Sequence, residues 1–522
     1  MPPVTQAPAR RRRSAGGGGL VTPPRTAVVA RAADPASLLV SRVEAGPEAV
    51  VAAVPVGAGA TPGPGAEAAV AAYGASFAAV VAAERVRGTA AEVVRVPVLA
   101  PDGLPGRLLL VGVGDGTPRD LRRAGAALGR AVRGRRRLVT TLGSGAGAEG
   151  VRALVEGLLL GPYAPPSAGL RDRTDSRPVG EVELVGDQAP DAVRLGLAHA
   201  GATLRTRDLA ETPSNVKNPG WLAERATALA AEAGLEITIW DTPRLAAEGF
   251  GGLLAVGGGS ATPPRLVRLD HRPAGSRGRR PVVLVGKGIT YDTGGLSIKS
   301  RDAMLPMKTD MSGAAAVLAV LAACAELGVR RPVTGLLPLA ENAVGASSYR
   351  PSDVVTVHGG RTVEILNTDA EGRMVLADAL DYARSLEPEV VVDIATLTGA
   401  TSLGLGRRHA ALFSTDERLA AALGAAGAAS GELTWRLPLV EDYRPALDSG
   451  VADLRHVPAP DAKVGGGAIT AALFLREFTG GARWAHLDVA GTARADKDEH
   501  EVTRGATGYG ARLLLRWLEG LR

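Results

Sequence analysis

The sequence predicts an α/β protein of two domains, a smaller N-terminal α/β domain and a larger C-terminal one built on a mixed, mostly parallel central sheet. Three observations predict it. A chain of 522 residues exceeds what one ordinary core accommodates. Short apolar runs alternate with helical patterns along most of its length. In the second half those runs are continuously apolar, as expected when helices cover both faces of a sheet.

Taken in order, residues 1–33 read as a disordered basic arm, because "ARRRRSAGGGG" has charge and glycine but no apolar segment of a signal peptide. The N-terminal domain is expected over 34–188, with strands at "RLLLVGVG", "RLVTTL" and "EVELVG" and a helix near 118–133. The stretch 161–180, rich in Pro, Gly and charge, reads as its exit. The third unit, 189–522, opens on a helix at 190–210. Asn218 and Pro219 then supply the cap and first turn of the next helix. Strands follow at "LEITIW", "GGLLAVGGG", "PPRLVRLD", "PVVLVGKG", "RPVTGLLPLA", "EVVVDIAT", "HAALFS" and "AHLDVA". Helices are expected near 312–327, 374–386, 416–429 and 467–478.

Composition narrows the function classes. Hydrophobic residues make 46% and charged residues 22%, the balance of a globular protein. Glycines and charges interrupt every apolar run before about 18 residues, so no membrane partner is expected. The single cysteine, Cys324, can form neither an intrachain disulfide nor a thiolate metal site, which fits a cytoplasmic location. A net charge of +6 invites a nucleic-acid reading, but Arg10 to Arg13 supply four of those charges.

The chemistry collects where strands end. "NTDAEGR" places Asp369 and Glu371 two residues apart, on one side of the chain if it is extended there. "KGITYDTGG" adds Lys287 and Asp292, "LSIKS" adds Lys299, and "MKTDMSGAAAV" adds Asp310 just before a helix. In open α/β sheets ligands bind beyond the carboxyl ends of strands. Four acids gathered there resist joint ionisation without cations between them. Two divalent ions resolve that, and hard oxygen ligands suit Mg, Mn or Zn. The seven histidines form no HExxH spacing.

"VGKGITYDTGGLSIK", "MKTDMSGAAA" and "NTDAEGR" closely resemble the leucyl aminopeptidase family, the dinuclear-metal cytosol aminopeptidases. "NPGWLAERA", "DIATLTGA", "DSGVADL" and "HLDVAGTA" extend the likeness over roughly 200–515. The departures are Thr293 where serine is common and Ser312 where glycine is common. The resemblance implies removal of the N-terminal residue, preferably Leu-like, from short peptides by a two-metal, bridging-water mechanism. Lys287, Asp292, Asp310 and Glu371 would surround an exchangeable metal, and Asp292, Asp369 and Glu371 a second, both Zn or Mn. The peptide's α-amine would bind a metal. Lys299 would polarise the scissile carbonyl, and Arg373 would hold a bicarbonate. Thr396, Leu397 and Gly399 would line the pocket for the N-terminal side chain. A homohexamer, a dimer of trimers, is implied as well.

Each residue has a plainer reading. Asp369 and Glu371 alone would suit a helix start, Lys287 a solvated turn, and Lys308 competes with Lys299 as the catalytic lysine. Asp488 and His486 read as structural. The alternative function is a nucleic-acid-binding protein on an aminopeptidase scaffold, which a salt-steep DNA affinity would reveal.

Overall fold

The computed structural model describes residues 26–32, 34–35, 50–98, 100–101, 103–166 and 177–521. Most of the basic arm and part of the expected 161–180 exit lie outside them. Against the expectation of disorder over 1–33, Ala27–Arg31 is a strand that pairs in parallel with Glu181–Val185, Val28 opposite Val182. Its backbone hydrogen bonds are made by a strand from the far end of the domain, which sequence composition does not reveal.

The N-terminal sheet runs in the order Ala27–Arg31, Glu181–Val185, Arg137–Thr140, Val50–Gly57, Arg107–Gly114, Val93–Arg95. Only Val93–Arg95 and the short Thr61–Pro62 strand run antiparallel to their neighbours. Successive residues of Val50–Gly57 serve opposite faces. Val51 and Ala53 pack with helices Pro118–Ala131 and Gly147–Leu160, while Val50, Ala52 and Val54 pack with Ala66–Ala72.

The second sheet runs Thr434–Arg436, Ala410–Ser414, Trp484–Asp488, Val390–Ala395, Val282–Gly286, Val333–Asn342, Arg265–His271, Glu236–Trp240. Its centre is parallel; Ala410–Ser414, Arg265–His271 and Glu236–Trp240 join antiparallel to their inner neighbours, and Thr434–Arg436 pairs in parallel at the edge. Val282 and Leu284 face helix Ser312–Cys324, whereas Val283 and Val285 face helix Glu371–Arg384. Gly288–Asp292 pairs farther along Val333–Asn342, so Lys287 stands at the break between two strands sharing one partner.

One segment differs from the sequence reading. "GGLLAVG" is helical over Gly251–Gly257, because a short apolar run does not distinguish a buried strand from a buried helix. The helix start is held by Asp378, whose carboxylate accepts from the Leu253 N–H at 2.7 Å. Gly251 and Gly252 let it approach closely: a Cβ there would stand 1.9 Å from the Thr356 carbonyl and 2.4 Å from that of Met374.

The helical stretch Arg301–Cys324 is long and apolar enough to cross a membrane by length and composition. Its apolar window is 83% buried within the protein, so packing against the sheet accounts for its character.

Helix Pro190–Glu211 packs on Gly147–Leu160 of the first unit and on Ser312–Cys324 of the second. Buried ion pairs reinforce the joint. Glu156 meets Arg512 at 3.6 Å, and Arg152 reaches Glu519 near the C-terminus at 2.9 Å.

Candidate metal centre

Lys287 follows the Val282–Gly286 strand and is 3% exposed. Its backbone N–H donates to Ile394 O at 3.1 Å, and its carbonyl accepts from Ala314 at 2.8 Å. This fastens it between a neighbouring strand and the helix that follows Asp310. The ammonium sits 3.0 Å from Asp310 Oδ2 and 2.8 Å from Glu371 Oε1, and donates to Thr396 O at 2.9 Å.

Asp292 ends the Gly288–Asp292 strand. Its Oδ1 accepts from Gly294 N and from Asn342 Nδ2, both at 2.8 Å, leaving Oδ2 toward Lys299 Nζ at 2.9 Å. Lys299 also pairs with Asp369 Oδ1. Asn342 and Tyr349 both donate to Thr368 O, at 3.0 and 2.9 Å, and so fix the turn that carries Asp369.

That turn is not extended. Thr368–Ala370 is a short 3₁₀ segment, and Glu371 is the first residue of helix Glu371–Arg384, three residues earlier than expected. Asp369 and Glu371 therefore do not converge through strand alternation. They converge because the helix start directs Glu371 inward while the turn presents Asp369. Carboxylate oxygens of Asp292, Asp369 and Glu371 lie within 4.8 Å of one another. Asp310 joins them across Lys287, its Oδ1 held by the Thr396 hydroxyl at 2.6 Å. Asp292, Asp310 and Glu371 are buried, whereas Asp369 is half-buried.

The electrostatics follow from burial. Desolvation opposes charge on Lys287, yet the carboxylates of Asp310, Glu371 and Asp292 outweigh it and raise its pKa. Burial, with the repulsion of Asp292, pushes Glu371 up to about 8, and burial raises Asp310 to about 6. The Lys287 ammonium thus sits beside carboxyl groups of Asp310 and Glu371 whose burial favours the protonated form, and the Lys299 ammonium beside Asp292. Glu371 Oε2 is buried with no hydrogen-bond partner. Hard oxygens around an unpartnered buried carboxylate, with an amine that can ligate once deprotonated, fit divalent cations.

Lys308 does not enter the cluster. Its amine donates to Glu211 Oε2 at 2.7 Å and Glu211 O at 2.9 Å, which leaves Lys299 as the lysine beside the acids. Arg373, on the first turn of the same helix as Glu371, is 8% exposed and donates to His456 O at 2.5 Å. Burial pushes its pKa down to about 10, so it stays charged near neutrality. Asp488 is structural, as read from sequence. It accepts from Thr398 and Thr401 hydroxyls at 2.6 and 2.7 Å and from Leu397 N at 3.2 Å, shaping the Thr396–Gly399 loop. In that loop Thr396 and Leu397 are half-buried and Gly399 is exposed. His486 pairs with Asp393 at 2.5 Å.

Sequence reasoning missed Asn342, Tyr349 and Gly372. A Cβ on Gly372 would stand 2.7 Å from Lys287 Cε and 2.8 Å from Nζ. Because three partners pin that amine, Gly372→Ala should displace it. We expect activity and metal affinity to fall by about 10- to 100-fold, comparable to losing a group that orients a ligand. Stability should change little, since alanine suits a helix. Wild-type kinetics and metal content in Gly372→Ala would refute this packing argument.

The family model described as "Cytosol aminopeptidase family, catalytic domain" matches residues 204–515, and the one for that family's N-terminal domain matches 53–165. A probable cytosol aminopeptidase of Syntrophotalea carbinolica is 44% identical over 437 residues, covering 80% of this chain and 86% of the relative. One from Micrococcus luteus is 42% identical over 460 residues, covering 83% and 88%. Among solved structures, a bottromycin maturation enzyme in complex with Mn superposes with a TM-score of 0.79 at 40% identity, covering 90% of this chain and 98% of that one. A tomato leucine aminopeptidase mutant gives 0.81 at 29% identity, covering 96% and 97%. The nucleic-acid alternative draws no support from these comparisons. With both domains matched in order and the acid cluster inside the matched catalytic region, this chain belongs to the cytosol aminopeptidase family.

Proposed function

We propose that this metal-dependent aminopeptidase uses two divalent ions, Zn or Mn, to release Leu-like N-terminal residues from short peptides. Lys287, Asp292, Asp310 and Glu371 would hold one ion, and Asp292, Asp369 and Glu371 the other. The observation that carries this reading is the buried acid cluster itself, with Glu371 Oε2 lacking any partner in a site that already contains two ammonium groups. Bound there, divalent ions would supply Lewis acidity and a water that ionises near neutral pH.

The chain's own groups then have distinct tasks. Lys299, whose side chain is 12% exposed, can turn its charge toward a carbonyl oxygen as that oxygen becomes an oxyanion. Arg373, on the first turn of helix Glu371–Arg384, would hold a bicarbonate anion. Thr396, Leu397 and Gly399 would line the pocket for the N-terminal side chain, with Asp488 fixing their backbone.

A chelator should abolish hydrolysis of leucyl amide, and added Mn or Zn should restore it. Full activity in a sample verified as metal-free would end the two-metal reading.

We place the domain boundary at 188–189, just before helix Pro190–Glu211, and the enzyme in the cytoplasm. A homohexamer is the proposed assembly. Light scattering at assay concentration should give six times the chain mass of 53.2 kDa, and an active monomer would contradict it.

A further inference from the structure

A cavity opens at the end of the catalytic sheet opposite the metal centre. It lies beside Pro281 and Pro332, which immediately precede the Val282–Gly286 and Val333–Asn342 strands. Lys287 follows the other end of the first strand, so five residues, roughly 17 Å of strand, separate the cavity from the metal centre. Its volume of about 440 Å³ is within the range of small-molecule sites.

Four arginines line it: Arg268, Arg272, Arg277 and Arg279. The only carboxylate in the lining is Asp270, and it is already engaged. Its Oδ2 meets Arg268 Nε at 2.8 Å, and its Oδ1 accepts from the Thr334 hydroxyl at 2.6 Å. Arg272 is shared with Glu236 at 3.1 Å. Among the described residues neither Arg277 nor Arg279 has an acidic partner. The lining also holds Ser276, 8% exposed, whose hydroxyl makes no hydrogen bond within the described residues. Arg277 and Arg279 are solvent-exposed and the Ser276 hydroxyl stands beside them, so the cavity presents a set of donors to an acceptor arriving from solution.

We propose that this cavity binds a small phosphoryl-bearing anion, with Arg277, Arg279 and the Ser276 hydroxyl as its donors. Guanidinium forks match the oxygens of a phosphoryl group in pairs, and each phosphate monoester carries about −1.5 to −2 charge near neutrality. One such group balances the two guanidinium groups that have no acidic partner. The site is separate from the metal centre and uses none of its residues.

Inorganic pyrophosphate is the probe, titrated calorimetrically into the metal-loaded enzyme and into Arg277→Gln/Arg279→Gln at matched ionic strength and free metal. Any uptake of divalent ions by pyrophosphate is common to both proteins, so the difference between isotherms reports the cavity. We expect saturable binding that weakens on the order of 30-fold or more in the double variant, since two charge-assisted contacts are lost. Ser276→Ala should weaken it by about 3- to 10-fold. Hydrolysis of leucyl amide without pyrophosphate should be unchanged in all variants. Identical isotherms, or no saturable binding by the parent enzyme, would overturn the proposal. Should the double variant fail to fold by circular dichroism, unchanged affinity in Ser276→Ala overturns it equally.

Discussion

Glu371→Gln is expected to lower turnover of leucyl amide on the order of 10³-fold or more, while leaving the fold and thermal transition close to those of the parent. The glutamine is nearly isosteric and would still fill the buried space at the start of helix Glu371–Arg384. What it loses is the charge of the carboxylate common to both proposed metal positions. Removing a group that merely orients a ligand costs about 10- to 100-fold in affinity or activity, so removing the ligand itself should cost more. A pH signature accompanies the loss. In the metal-free chain burial holds Glu371 up to about 8, so at pH 7 it is largely protonated and metal loading must expel that proton. Affinity should therefore fall as pH falls through 8 toward 6, and proton release at pH 7 should diminish in Glu371→Gln. Calorimetry in buffers of different ionisation enthalpy reads that release directly. Parent-like turnover, or unchanged proton release, would remove Glu371 from the centre.

The second large effect concerns Lys287. An ammonium has no lone pair, so Lys287 must surrender a proton to ligate a metal. Its pKa in the metal-free chain is raised because the surrounding carboxylates outweigh burial. An incoming dication reverses that balance: it neutralises the same carboxylates and repels the ammonium, favouring the free amine. Loading should thus weaken by about tenfold per unit of falling pH for each proton displaced. Lys287→Arg keeps the positive charge but cannot deprotonate, so one of the two proposed ions and most activity should be lost. The ion held by Asp292, Asp369 and Glu371 should remain. Metal counting on the purified variant decides between the readings, because two tightly held ions in Lys287→Arg would show that this lysine is no ligand.

Much of this protein was legible before any coordinates. Asn218 caps helix Pro219–Ala233, with its side chain accepting from Trp221 N at 2.9 Å, as the dipeptide indicates. Apart from "GGLLAVGGG", the apolar runs of the second half form strands of the central sheet. Lys287 and Asp292 lie five residues apart around one short strand, and Glu371 and Arg373 lie on one helical turn. Covalent proximity alone therefore keeps Glu371 and Arg373 together at one end of the sheet.

What sequence could not supply was pairing between distant segments. Asn342 reaches both Asp292 and Thr368, and Tyr349 reaches Thr368, from a strand end and loop with no motif of their own. Lys299 and Lys308 are equivalent as letters. The family resemblance chose Lys299, and the fold commits Lys308 to Glu211, 97 residues away, leaving Lys299 among the acids. The apolar run at 251–257 suits strand and helix alike, and its state was decided by Asp378 and by close packing on Met374. Even the acids of "NTDAEGR" meet for a reason other than the one their spacing suggests. By itself the sequence determined which local segments form and which chemical groups they carry, because propensity, capping and covalent spacing act over a few residues. The tertiary structure alone decided which of those groups share a desolvated space, because burial and charge pairing depend on segments that the chain brings together from far apart.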